Sequence, residues 1–235
     1  MTSTWRSAAA ALAADLRNIF SSRLRSLVVY GARIDGDDAA PLTCLALVDS
    51  IALSDLEACA RMASHWERHG LAIPLILPEQ EFHQSLDTFP LEYGEIIRAH
   101  EVVVGTNPFE GASIAREDLR RACETQIKSH LMHLREGFIE SGGQPQAVAR
   151  LVAASAPAFA ALLRNVGRLS GAGMVNRSEA TLAGARAAEL PAGVVNDVLT
   201  LERQATMPTT DAARLFPDYL AAVEQLARTV DAWRA

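Results

Sequence analysis

Cysteine is scarce in this chain, long basic runs are absent, and no hydrophobic stretch approaches the roughly 20 residues that a membrane helix needs. The three cysteines, Cys44, Cys59 and Cys123, stand far apart, form no C-x-x-C pair and are odd in number. That pattern excludes a disulfide framework and predicts reduced, buried thiols in a cytoplasmic protein. Lys and Arg total 22 against 28 Asp and Glu, a formal net charge of −6. Basic residues cluster only in short pieces such as Arg120-Arg121, so the electrostatic drive for non-specific nucleic-acid binding is missing. The Ala-rich run Ala8 to Ala14 is followed by Asp15 and Arg17 and lacks the basic start and Leu-rich core of a signal peptide. What is present is an ordinary globular composition, with 49% hydrophobic and 21% charged residues over 235 positions. That is enough for one large domain or two small ones, each with a core.

Periodicity divides the chain into an α/β front and a helical rear. Leu12, Leu16, Ile19 and Phe20 recur at helical spacing and predict a helix over Thr4 to Ser22. Leu27 to Tyr30 and Leu42 to Val48 are short β-rich runs separated by a loop holding Gly31, Gly36 and Pro41. Ser54-Asp55-Leu56-Glu57 has capping-box spacing and predicts a helix to His69, stopped by Gly70. Leu71 to Leu77, with Pro74 marking an edge or bulge, predicts a third strand. A helix over Phe89 to Arg98 and a strand over Glu101 to Val104 follow. After the breaker-rich link at 105–113 no strong strand candidate remains. Leu119, Cys123, Ile127, Leu131, Leu134 and Phe138 form one helical stripe ending at Gly142-Gly143. Further helices are predicted over Gln146 to Arg168, kinked or divided at Pro157, then Ser178 to Leu190, Pro191 to Gln204, and around Leu220 to Trp233.

The order helix, "SLVVYGA", strand "LTCLALV", helix, third strand resembles the nucleotidyltransferase fold of the polymerase-beta type. Glu81 to Gly105 and Asp118 to Phe138 also resemble later parts of bacterial nucleotidyltransferase-like proteins, and the resemblance covers roughly residues 15–140. It implies an α+β chain. A small mixed-sheet nucleotidyltransferase-like domain at 1–107 would precede an all-α helical bundle at 112–235. Active members of the family carry Gly-Ser after the first strand, Asp-x-Asp on the second and a third acid on a later strand. The glycine turn lets backbone donors approach a triphosphate. Carboxylates at i and i+2 share one strand face and so hold two magnesium ions together.

Matched to this pattern, the chain departs at every ligand. Gly31-Ala32 replaces Gly-Ser, Leu42-Thr43-Cys44 occupies the Asp-x-Asp slot, and Ile73 to Leu77 contains no acid. Asp35, Asp37 and Asp38 sit around Gly36 and predict a solvated, flexible acidic turn. Asp49 falls on the opposite strand face from Leu42, Cys44, Ala46 and Val48. The resemblance therefore implies no catalytic residue and no metal ligand at the motif positions, with Gly31, Ala32 and Arg33 as the nucleotide-binding candidates.

Other constellations are weaker. His65 and His69 stand one helical turn apart, but Trp66 occupies the position after the first histidine where a metalloprotease has Glu, so a polar helix end is expected. His130 and His133 flank the Leu131/Leu134 stripe and are expected at its edge. Gly167 to Met174 is glycine-rich but lacks the preceding strand and following Lys of a phosphate-binding loop, so it is expected between helices. The expected function is binding, of a nucleotide or of a protein partner including a second copy, by a catalytically degenerate member of this fold. One alternative is an active, magnesium-dependent nucleotidyltransferase that recruits Asp35, Asp37 or Asp49; the cofactor is magnesium only in that case. Another is a structural or oligomeric scaffold.

Overall fold

The structure, a computed structural model, describes residues 5–171, 177–204 and 209–233. The chain divides into two compact units, Met1–Ala115 and Arg116–Ala235. In the first, α1 (Trp5–Phe20) leads through a single 3-10 turn into β1 (Leu24–Tyr30), followed by β2 (Thr43–Val48), α2 (Leu53–Arg68) and β3 (Leu75–Pro78). A short α3 (Glu79–Gln84), α4 (Pro90–Arg98) and β4 (His100–Gly105) complete it. The sheet has the order β3-β2-β1-β4 and is mixed: β1 runs antiparallel to β2 and β4, and β2 runs parallel to β3.

Both faces of the sheet are covered, which is why its central strands read as unbroken apolar runs. With a side-chain period of two, Leu27, Val29, Leu42, Cys44, Ala46 and Val48 pack with Leu12, Leu16 and Phe20 of α1 and Trp66 of α2. Val28, Leu45 and Leu47 face the other way and join Phe82, Tyr93, Ile96 and Phe109. Gly105 shows why a glycine ends β4. Its φ is +79°, and a Cβ there would lie 1.9 Å from the Arg25 carbonyl oxygen.

Several boundaries differ from the sequence expectation. The third strand begins after Pro74, not before it; Leu71 makes only an isolated bridge to Leu42. Helix α2 starts two residues earlier than the Ser54 capping box implies, at Leu53, with Ala52 as its N-cap. Asp55, rather than Glu57, reaches back to the N-cap and accepts a hydrogen bond from the Ala52 N–H at 2.8 Å. Asp55 also accepts two hydrogen bonds from Arg23, at 2.7 and 2.8 Å, and this arginine holds its carboxyl down to about 2. Helix α3 is not expected from the sequence, because its one large apolar residue, Phe82, stands in an otherwise polar segment.

The second unit is helical throughout its described residues: α5 (Arg116–Glu140), α6 (Pro145–Leu169), α7 (Arg177–Ala187), α8 (Ala192–Gln204) and α9 (Thr209–Ala232). The α5 stripe buries Cys123, Ile127, Leu131 and Leu134, as its spacing predicts, while Phe138 stays 40% exposed. Helix α6 runs unbroken past Pro157. The lost backbone hydrogen bond is outweighed by burial of Val152, Ala156, Phe159, Ala160 and Leu163 around it. It packs against α5, α7, α8 and α9, and that central position makes it apolar. By length and composition Pro145–Leu169 is apolar enough to cross a membrane, contrary to the sequence expectation that no stretch would be. Gly167 to Leu169, expected in a loop, belong to α6; residues 172–174 of that segment lie outside the described residues.

Candidate nucleotide site

The β1–β2 loop is a fixed structure, and its own backbone shows how. Gly31 turns the chain at φ +84°, and a Cβ there would stand 2.8 Å from Thr43 Oγ1, whose hydroxyl donates to the Tyr30 carbonyl at 2.5 Å. The Gly31 carbonyl accepts from the amides of Ile34 (3.0 Å) and Asp35 (3.2 Å). The Gly36 amide bonds to the Arg33 carbonyl, and the Asp37 amide to the Ala32 carbonyl. The loop carbonyls therefore engage the amides of residues 34 to 37, and none of them takes the Ala32 or Arg33 amide. The Arg33 side chain folds back to the loop, donating from Nε to the Ala40 carbonyl at 2.6 Å, with Asp38 4.0 Å from its guanidinium.

Asp35 corrects the expectation of a solvated, flexible acidic turn. Its carboxylate is 7% exposed and accepts from Arg98 Nη2 of α4 at 2.8 and 3.1 Å. A largely buried ion pair therefore joins this loop to the last turn of α4. Asp37 Oδ1 accepts from the Ala39 amide at 3.1 Å, and the Asp38 side chain stands in solvent. Asp49 follows β2 and is ion-paired to Arg25 of β1, while its amide donates to the Arg23 carbonyl at 2.9 Å.

No register of β2 supplies a carboxylate pair. Leu42 and Cys44 are each 1% exposed against α1 and α2. On the other face Thr43 is engaged with Tyr30, and Leu45 is fully buried. Burial drives the Cys44 thiol up to about 12, so it offers no thiolate. Among the four strands the one acid is Glu101 on β4, opposite Val29 and ion-paired to Arg6 at 2.7 Å. Sequence reasoning passes over Glu101 and Arg98. Glu101 stands at a predicted strand start and is open to notice, whereas the 63-residue separation of Asp35 and Arg98 carries no local signal. Among the described residues no group of three or more His, Cys, Asp or Glu side chains can hold a metal ion.

Of the histidines in the sequence motifs, His130 lies partly buried with Nε2 2.8 Å from the Tyr219 hydroxyl, and His133 is exposed beside Glu136. His65 and His69 are exposed at the end of α2, as a polar helix end requires.

This mixed four-stranded sheet with flanking helices, followed by a helical region, is a nucleotidyltransferase-like α+β fold. Among solved structures the chain is similar to spectinomycin adenyltransferase AAD(9) from Enterococcus faecialis, determined with ATP and spectinomycin. The two share 13% identity at a TM-score of 0.57, over 94% of this chain and 96% of that one. No family model and no curated protein sequence matches the chain.

Proposed function

We propose that this protein is a catalytically degenerate nucleotidyltransferase-like protein that binds a nucleotide without transferring it, and acts through that binding or through a protein partner. The observation that carries the reading is the absence of any acid from β1, β2 and β3, together with the engagement of Asp35 by Arg98 and Asp49 by Arg25. Two-metal transfer needs converging, unpaired carboxylates on rigid elements. The phosphates would lie at Gly31, Ala32 and Arg33, where the glycine turn brings the chain close and the loop carbonyls leave two consecutive amides for an anion. A nucleotide is in keeping with the fold shared with an enzyme crystallised with ATP. Cys44, Cys59 and Cys123 are free and buried, in keeping with a cytoplasmic protein.

Calorimetry with ATP and GTP, with and without magnesium, tests this. The expected result is binding that survives EDTA, releases no pyrophosphate and weakens in Gly31→Val. Strictly magnesium-dependent binding with pyrophosphate release would establish an active transferase, and no binding of either nucleotide would leave a scaffold.

A further inference from the structure

A shallow groove of about 330 Å³ lies between α1 and the end of α2. Ala8, Ala11, Leu12 and Leu71 contribute its apolar lining, and Asp15, His65 and His69 bring polar groups. One wall is fixed, because the buried Trp66 donates from Nε1 to Asp15 at 3.0 Å. At the rim the two imidazoles face each other, with ring centres 4.3 Å apart and planes inclined by 42°.

We infer that His65 and His69 form a two-imidazole chelate for a late first-row divalent metal ion at the rim of this groove. The first argument is distance. An ion held ~2.1 Å from two imidazole nitrogens at a right angle sets the ring centres roughly 4.5 Å apart. The observed separation of 4.3 Å matches that cis arrangement. The second is the tautomer. His69 Nδ1 lies 2.7 Å from the His65 carbonyl oxygen, which can only accept. Nδ1 therefore carries the proton, and the Nε2 lone pair is left for a ligand. This is the orientation that an outer hydrogen bond imposes on metal-binding histidines. The third is access: both side chains are exposed, so the ion reaches them without unfolding the helix.

No third His, Cys, Asp or Glu completes the set among the described residues. Water, or a donor atom on a small molecule lying in the groove, fills the remaining positions. Such an open, nitrogen-rich site favours Cu²⁺ over Zn²⁺ and excludes Mg²⁺ and Ca²⁺, which require oxygen ligands. It is independent of the nucleotide reading, which needs no metal.

The test is titration of the full chain with Cu²⁺ alone, followed by electron paramagnetic resonance and by quenching of tryptophan fluorescence. One equivalent should bind with nitrogen coordination. Affinity should fall at least tenfold in His65→Ala and in His69→Ala, and stay unchanged in His83→Ala, an exposed histidine on α3. Thermal melting of the metal-free variants should match the parent, since both side chains are exposed. Cu²⁺ affinity equal to the parent's in either single variant, or no Cu²⁺ uptake by the parent, would overturn the assignment.

Discussion

His130 is a titratable ring placed where protonation is opposed. It lies near Phe159 and against Tyr219, with Nε2 2.8 Å from the tyrosine hydroxyl. Burial, and secondarily the charge of His133, push its pKa down to about 4 from an ordinary value of 6.5. The unfolded chain therefore binds a proton more readily than the folded one in that interval. The contribution of a neutral His130 is fully present above pH 6.5 and is lost as pH falls towards 4, at no more than about 1.4 kcal/mol per pH unit. Melting temperatures across pH 4 to 7 should decline on the acid side, and the slope should flatten in His130→Gln. An identical slope in that variant would assign the loss to another group. Asp55 and Glu124, both held near 2 by basic partners, act lower, from ordinary values of 3.8 and 4.5 down to about 2, so that only Glu124 overlaps the acid end of this window. At this same scale the sequence misleads about Asp35. A run of Asp around a glycine reads as a hydrated turn, because local composition cannot report an arginine far along the chain. Cys44 is the opposite case: its place in an apolar run on a two-sided strand predicts burial, and burial is what the strand imposes on it.

At the scale of elements, what repeats within a few residues is legible in the sequence. The two-residue alternation of β2 separates Cys44 and Ala46 from Leu45 and Leu47 onto different faces, and the α5 stripe buries at its predicted spacing. What depends on partners distant in sequence is not. Helix α3 is six residues long and takes its stability from Phe82 packing on Tyr93 and Phe109, and α6 passes Pro157 because the core on all sides holds it. The crossing of α6 and α7 is such a case too, and it rests on two glycines. A Cβ on Gly184 would lie 1.9 Å from the Leu163 carbonyl oxygen, and one on Gly167 would lie 2.1 Å from that of Ala180. The helices meet backbone to backbone, so Gly184→Ala must separate them and should destabilise by about 1–3 kcal/mol. A Cβ on Gly94, inside α4, would meet nothing within 4 Å. Gly94→Ala should therefore stabilise by up to ~1 kcal/mol through helix propensity. Urea denaturation of both variants checks the opposite signs, and equal effects would mean that the α6–α7 contact yields easily.

For the whole molecule, the decisive quantity is where the carboxylates lie. The chain carries an excess of acid, yet it places none on the three strands that follow one another through the motif region. Three of the nearby acids are committed, Asp35 to Arg98, Asp49 to Arg25 and Glu101 to Arg6, while Asp37 and Asp38 are exposed in the β1–β2 loop. To serve as a metal ligand each of these three would have to leave its arginine, and for Asp35 that leaves a guanidinium with Glu95 at 4.0 Å and an Nε that already has no hydrogen-bond partner among the described residues. Metal binding at such positions competes with an existing ion pair, whereas an active site presents carboxylates whose charge is relieved only by the metal. Incubation with labelled ATP or GTP, magnesium or manganese, and candidate acceptors including the protein itself should therefore give no transfer. The informative variants are Asp35→Ala, Asp37→Ala, Asp38→Ala, Asp49→Ala and Glu101→Ala. Reproducible label transfer by the parent that disappears in one of them would overturn the degenerate reading and identify the acid that holds the ion. Transfer unaffected by all five would point to a contaminant, because Glu101 is the one acid on the sheet and the other four are the acids of the β1–β2 loop and the end of β2.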